Sequence, residues 1–265
     1  MPYTYDDIRR AYSAVGVERN RVVYVVSEFW RLREYADNGP AAVCAAHYRA
    51  LRDLLGDGGT LVVSTASPQL INTETVFDPR TTPSRDVGIF SEYVRQLPGA
   101  RRSFHPFISY AAIGPQAEDI VANCSPHAYG PESPESRLCH IGARNIAVGM
   151  SPDIACSTAH HVEHVCGVPF RYMKEFVHPV LRDDQVVKEP FYLHVWYRDT
   201  GMVKDRYRGL FRRLDGKLEI RTASLGRGTV YGYETGEFFR LACAIVAHEP
   251  YVSCEVQPQT RPYRT

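Results

Sequence analysis

Apolar residues recur along this chain with two alternating periods. Over 40–55, Ala42, Val43, Ala46, Leu51, Leu54 and Leu55 fall at helical spacing, and Asp57-Gly58-Gly59 ends the run. On either side lie short β-branched stretches, RVVYVV at 21–26 and TLVVS at 60–64, which read as buried strands. Strand, helix and strand with short links predict a βαβ unit whose two strands are parallel neighbours. The same reading places short helices at 5–15, 88–97 and 114–123, a third apolar strand at 145–150, and a helix over 156–166. Strands at 191–197 and 218–222 belong to a more polar half, and a helix over 233–247 closes the pattern. Residues 66–88, rich in Pro, Thr, Asn and Asp, predict a long ordered loop, which in a compact domain tends to be functional. The expected fold is α/β, with βαβ units in the N-terminal half of a mixed sheet and a more antiparallel C-terminal half, in a single domain over 1–265.

Composition narrows the partners more than the fold. With 44% hydrophobic and 23% charged residues, the 265-residue chain reads as an ordinary globular protein. A net charge of +1 argues against a general nucleic-acid or membrane-surface binder. No run approaches the roughly twenty apolar residues of a membrane span. The opening Met1-Pro2-Tyr3-Thr4-Tyr5-Asp6-Asp7 is polar and acidic, where a secretory leader is basic. Seven cysteines without a C-x-x-C pair read as reduced thiols, so the expected compartment is the cytoplasm.

Chemistry concentrates in CSTAHHVEHVC, residues 156–166. His160-His161-Val162-Glu163-His164 fits H-x-x-E-H, which on a helix sets two histidines one turn apart as zinc ligands do. A third ligand is required, and the sequence singles none out, so a zinc hydrolase stands as the alternative. G-x-S-x-G and Walker A patterns are absent, and Gly226-Arg227-Gly228 reads as a turn. What is left is acid–base chemistry by histidine and carboxylate.

Three spaced segments, in order, resemble the aminoglycoside 3-N-acetyltransferase family. The first runs from Phe77-Asp78-Pro79 through Gly88-Ile89-Phe90-Ser91-Glu92 to Arg102-Ser103-Phe104-His105-Pro106 and Ser109-Tyr110-Ala111-Ala112-Ile113-Gly114, close to R-S-x-H-P-x-x-S-x-A-A-x-G. The second is Tyr129-Gly130-Pro131-Glu132-Ser133-Pro134 with Leu138. The third is Ser157-Thr158-Ala159-His160-His161-Val162-Glu163, standing where the family has T-x-x-H-x-x-E.

The resemblance implies an acyltransferase that moves acetyl, or another acyl group, from acyl-coenzyme A to an amine of a small metabolite or aminoglycoside-like compound, without a metal, as a monomer or homodimer. A divergent family member in secondary metabolism, with an altered donor or reaction, is the alternative within the family. It implies His160 as the base, with Glu175 or Glu163 orienting it. It sets the donor against Ser27, Ser64, Thr65, Ser67 and Ser109. The acceptor falls to Asp78, His105, Tyr197, Arg198 and Asp199, although His105 reads equally as a structural, hydrogen-bonded core histidine. Two departures stand out. Where the family has a serine pair and a glycine-rich turn, this chain has Ser27-Glu28-Phe29-Trp30-Arg31, which narrows the expected channel. The acidic acceptor segment is replaced by Tyr192-Leu193-His194-Val195-Trp196-Tyr197-Arg198-Asp199, which suits a polycation poorly.

Overall fold

The computed structural model describes residues 2–33, 35–36, 39–198 and 200–260. The helices are α1 (Tyr5–Ala14), α2 (Pro40–Leu55), α3 (Ile89–Arg95), α4 (Ala117–Val121), α5 (Pro134–His140), α6 (Thr158–Val165), α7 (Arg208–Leu214) and α8 (Thr235–His248). The strands are β1 (Val22–Ser27), β2 (Thr60–Ser64), β3 (Arg101–Arg102), β4 (Tyr110–Ile113), β5 (Arg144–Val148), β6 (Arg171–Arg182), β7 (Gln185–Trp196), β8 (Val203–Lys204), β9 (Arg221–Leu225), β10 (Gly228–Glu234) and β11 (Cys254–Val256).

Seven strands form the main sheet in the order β3-β4-β2-β1-β5-β10-β9. Its centre, β2-β1-β5, is parallel, as the βαβ pattern predicts, with Val22 opposite Thr60 and Val23 opposite Arg144. Both flanks are antiparallel: β4 and β3 on one side, β10 and β9 on the other. The antiparallel character therefore reaches into the N-terminal half as well. The long hairpin β6–β7 stands apart from this sheet, as does the short pair β8–β11.

Alternation along β1 explains why it lies at the centre. Val23 and Val25 join a core with α1 and α2, while Val22 and Tyr24 face the opposite layer with Tyr110, Ile120 and Leu138. A strand buried on both faces reads as a near-continuous apolar run, as RVVYVV does. A third cluster joins α6, α7 and α8, and a fourth packs the hairpin onto the loop around Leu70 and Phe77.

Helix starts follow local chemistry. Thr4 and Asp7 form a reciprocal capping box at α1. The Glu234 carboxylate accepts from the Gly236 and Glu237 N–H groups at α8. The expected strand at 218–222 lies further on, at Arg221–Leu225, because the two-residue turn Gly226-Arg227 sets the β9–β10 register with Leu225 opposite Gly228. Gly226 has φ +58, a conformation natural to glycine. Among the described residues no helix is long and apolar enough to cross a membrane.

Candidate active site

β1 and β2 both end at a cavity of about 340 Å³. Ser27, Glu28, Ser64 and Ala66 line one side, and Ser157, His160 and Tyr207 the other. Two glycines let the backbone close around the end of β1. At Gly88 (φ +85) an added Cβ would overlap the Ser27 carbonyl oxygen, and at Gly149 (φ +72) it would meet the Glu28 carbonyl oxygen at 2.6 Å. Phe29 is buried, stacked on His47 with ring centroids 4.0 Å apart, and Trp30 is exposed. Of the substitutions expected to narrow the channel, only Glu28 reaches it.

A second cavity, of about 610 Å³, opens against the hairpin, and His160 lines both. This histidine sits in the first turn of α6. Its ring stacks on Tyr129 at 4.8 Å, and its Nδ1 lies 3.1 Å from both the Tyr207 hydroxyl and Arg171 Nη2. The Tyr207 hydroxyl donates to Glu163 Oε2 at 3.1 Å. Glu163 is buried one turn along α6 and pairs with Arg171 Nε and Lys204 Nζ, each at 2.6 Å. One carboxylate thus faces two buried cations.

Burial holds the His160 pKa well below the usual histidine range, and Arg171, Lys204 and His194 push the same way. The ring is therefore neutral near pH 7. Arg206 and Tyr207 hold the left-handed conformation (φ 54 and 65), which costs a bulky residue on the order of 1–2 kcal/mol and collects at functional sites. That backbone brings the Tyr207 hydroxyl to His160.

Several expected site residues lie elsewhere. Glu175 is exposed on β6 and accepts from the Tyr192 hydroxyl at 2.8 Å, so the acidic neighbour of His160 is Glu163. Thr65, Ser67 and Ser109 are fully buried and knitted together by Arg102, which donates to Ser109 Oγ, Ser67 Oγ and the Thr65 carbonyl. They brace the segment after β2, while Ser27 and Ser64 face the cavity. Asp78 closes a turn by accepting from the Arg80 N–H and the Thr81 hydroxyl. His105 is buried and its Nδ1 accepts from the Phe107 and Ile108 N–H groups. Tyr197 and Arg198 line the second cavity, and Asp199 lies outside the described residues.

Among the described residues the H-x-x-E-H side chains are not gathered as a metal-ligand set. Glu163 is taken by two cations, His160 is flanked by Arg171, and His164 faces the rings of His127 and His194. Sequence reasoning missed Tyr207, Arg171 and Lys204, which come from the hairpin and the segment after it. No local pattern marks them.

His160 thus stands on the wall common to a cavity at the parallel strand ends and a second, open cavity of this α/β fold. The sequence matches the family Aminoglycoside 3-N-acetyltransferase over residues 27–247, and the chain belongs to that family. It is an acyltransferase whose reaction class is acyl transfer to an amine. Aminoglycoside N(3)-acetyltransferase IV of Salmonella sp is 32% identical over 227 residues, which cover 80% of this chain and 82% of that protein. The fold is shared with the aminoglycoside acetyltransferase AAC(3)-IVa apoenzyme (TM-score 0.78, 24% identity, 97% of this chain and 93% of the other). It is also shared with AAC-IIIb, solved as a binary complex with CoASH (TM-score 0.79, 20% identity, 94% and 98%).

Proposed function

We propose that the protein transfers an acyl group from acyl-coenzyme A to an amine, with His160 as general base. The observation that carries this reading is the place of His160, on the wall common to both cavities. The donor thioester approaches from the ends of β1 and β2, where open α/β sheets bind ligands, and the amine approaches from the hairpin side. The family membership and the existence of a CoASH complex of AAC-IIIb support acyl-coenzyme A as the donor.

The proton path follows from the contacts. For Nε2 to keep the free lone pair, His160 carries its proton on Nδ1 and donates it to the Tyr207 oxygen, while the Tyr207 hydroxyl donates to Glu163. In that tautomer Arg171 Nη2, a donor only, lies beside Nδ1–H without bonding to it, and Arg171 is held by the His194 carbonyl and Glu163. As the amine nitrogen attacks the thioester carbonyl, the C–N bond forms, the C–S bond breaks, and the amine proton passes to Nε2. A depressed pKa makes the resulting imidazolium a good acid, so it hands that proton to the leaving thiolate and resets. Glu163, 3.9 Å from Nδ1, offsets the transient charge.

Acetyl-coenzyme A at about 100 times its dissociation constant should stabilise the fold by about 2.7 kcal/mol. His160→Ala should keep that shift and lose about 10²–10⁴ in rate. His161→Ala should lose far less, because that ring is turned away onto Phe239 and bonds to the Tyr129 carbonyl. Equal loss from both variants, or no shift with any acyl-coenzyme A, would overturn the reading.

A further inference from the structure

The second cavity carries the wrong charge for a polycation. Arg171, Lys174 and Arg198 line it, and no Asp or Glu among the described residues does. Arg171 is committed to Glu163, but Lys174 and Arg198 pair with no carboxylate among the described residues. Lys174 rests 4.9 Å over the Phe176 ring, a contact that offsets part of its charge and supplies no counter-ion. The one carboxylate on β6, Glu175, is adjacent to Lys174 and so points to the opposite face of the strand, held by Tyr192. Aromatic surface completes the wall: Tyr172 and Tyr197 stack with centroids 4.7 Å apart, and Trp196 is 44% exposed.

Resting on the assignment of His160 as base and of this cavity to the acceptor, we infer that the acceptor is an amine that also carries an anionic group, a carboxylate or a phosphate. The anion sits against Lys174 and Arg198, the body of the molecule lies on the aromatic wall, and the amine reaches His160. Cations so placed favour such a molecule and repel a polycationic one, so the same side chains select for one class and against the other.

Matched acceptors test the inference, with thiol release from acetyl-coenzyme A as readout. The probes are 4-(aminomethyl)benzoate against its methyl ester, glucosamine 6-phosphate against glucosamine, and gentamicin. In at least one pair the anionic member should be favoured by about tenfold in kcat/KM, equivalent to about 1.4 kcal/mol, and the preference should shrink with added salt. The pair that responds tells carboxylate from phosphate. In the Lys174→Ala/Arg198→Ala variant the preference should fall to near parity while the acetyl-coenzyme A dissociation constant stays the same. If no probe turns over, equilibrium binding of the same pairs to the His160→Ala protein must show the same order. Gentamicin or the neutral members doing as well as the anions, or a preference that survives the double variant, would overturn the inference and leave the acyltransferase reading standing. Failure of acetyl-coenzyme A to bind would instead remove the reading beneath it.

Discussion

Glu163→Gln is the most severe conservative change this site offers. The carboxylate is 2% exposed and its partners Arg171 and Lys204 are 6% and 8% exposed, so three charges share one nearly dry region. At an effective dielectric of about 20, each 2.6 Å contact supplies about 6 kcal/mol of attraction, most of it offset by desolvation. Removing the anion leaves both cations buried and facing each other, which typically costs about 3–5 kcal/mol. Against the 5–15 kcal/mol of an ordinary domain, that is a large share of the total. Urea titration should show a lower midpoint at unchanged slope. Adding Lys204→Met removes one stranded cation and should restore about 1–3 kcal/mol. A Glu163→Gln protein within about 1 kcal/mol of wild type, or a double variant whose losses add, would refute the account of Glu163 as the counter-charge of this cluster.

Three more expectations follow from the same structure. The acid limb of kcat, measured with an aromatic amine that is already neutral at pH 5, should lie below the ordinary histidine value of about 6.5, because desolvation, Arg171, Lys204 and His194 all disfavour the imidazolium; a limb at or above 6.5 counts against His160 as the base. Burial also depresses His47 and His105 to about 3, so their stabilisation is full above the unfolded value near 6.5 and is lost as pH falls towards 3. Each should cost about 2 kcal/mol by pH 5, and NMR titration that finds either ring protonating near pH 6.5 would contradict this. Gly88→Ala should cost about 1–3 kcal/mol for the strained backbone and the displaced Ser27 carbonyl, and should weaken acetyl-coenzyme A binding; a melting temperature equal to wild type would mean that the turn relaxes freely.

The sequence alone determined the parts whose cause is local. The parallel pair at Val22–Ser27 and Thr60–Ser64, the helix Pro40–Leu55 between them, and the helix that carries His160 are legible because burial on one or both faces imposes a period on neighbouring residues. The family was legible too, since three spaced motifs in order constrain one another. Tertiary structure decided which acid lies beside the histidine. Glu175 lies near in sequence, but β6 carries it away to Tyr192, whereas Glu163 shares a helix turn with His160 and draws Arg171 and Lys204 to it. It also separated Ser27 and Ser64, which face the cavity, from Thr65, Ser67 and Ser109, which Arg102 holds inside. Tyr207 could not be read in advance: its place depends on two left-handed residues and on where the chain returns after the β6–β7 hairpin. Side-chain period is a property of neighbours in the chain, while a charge cluster is a property of neighbours in space. Only the fold sets the second.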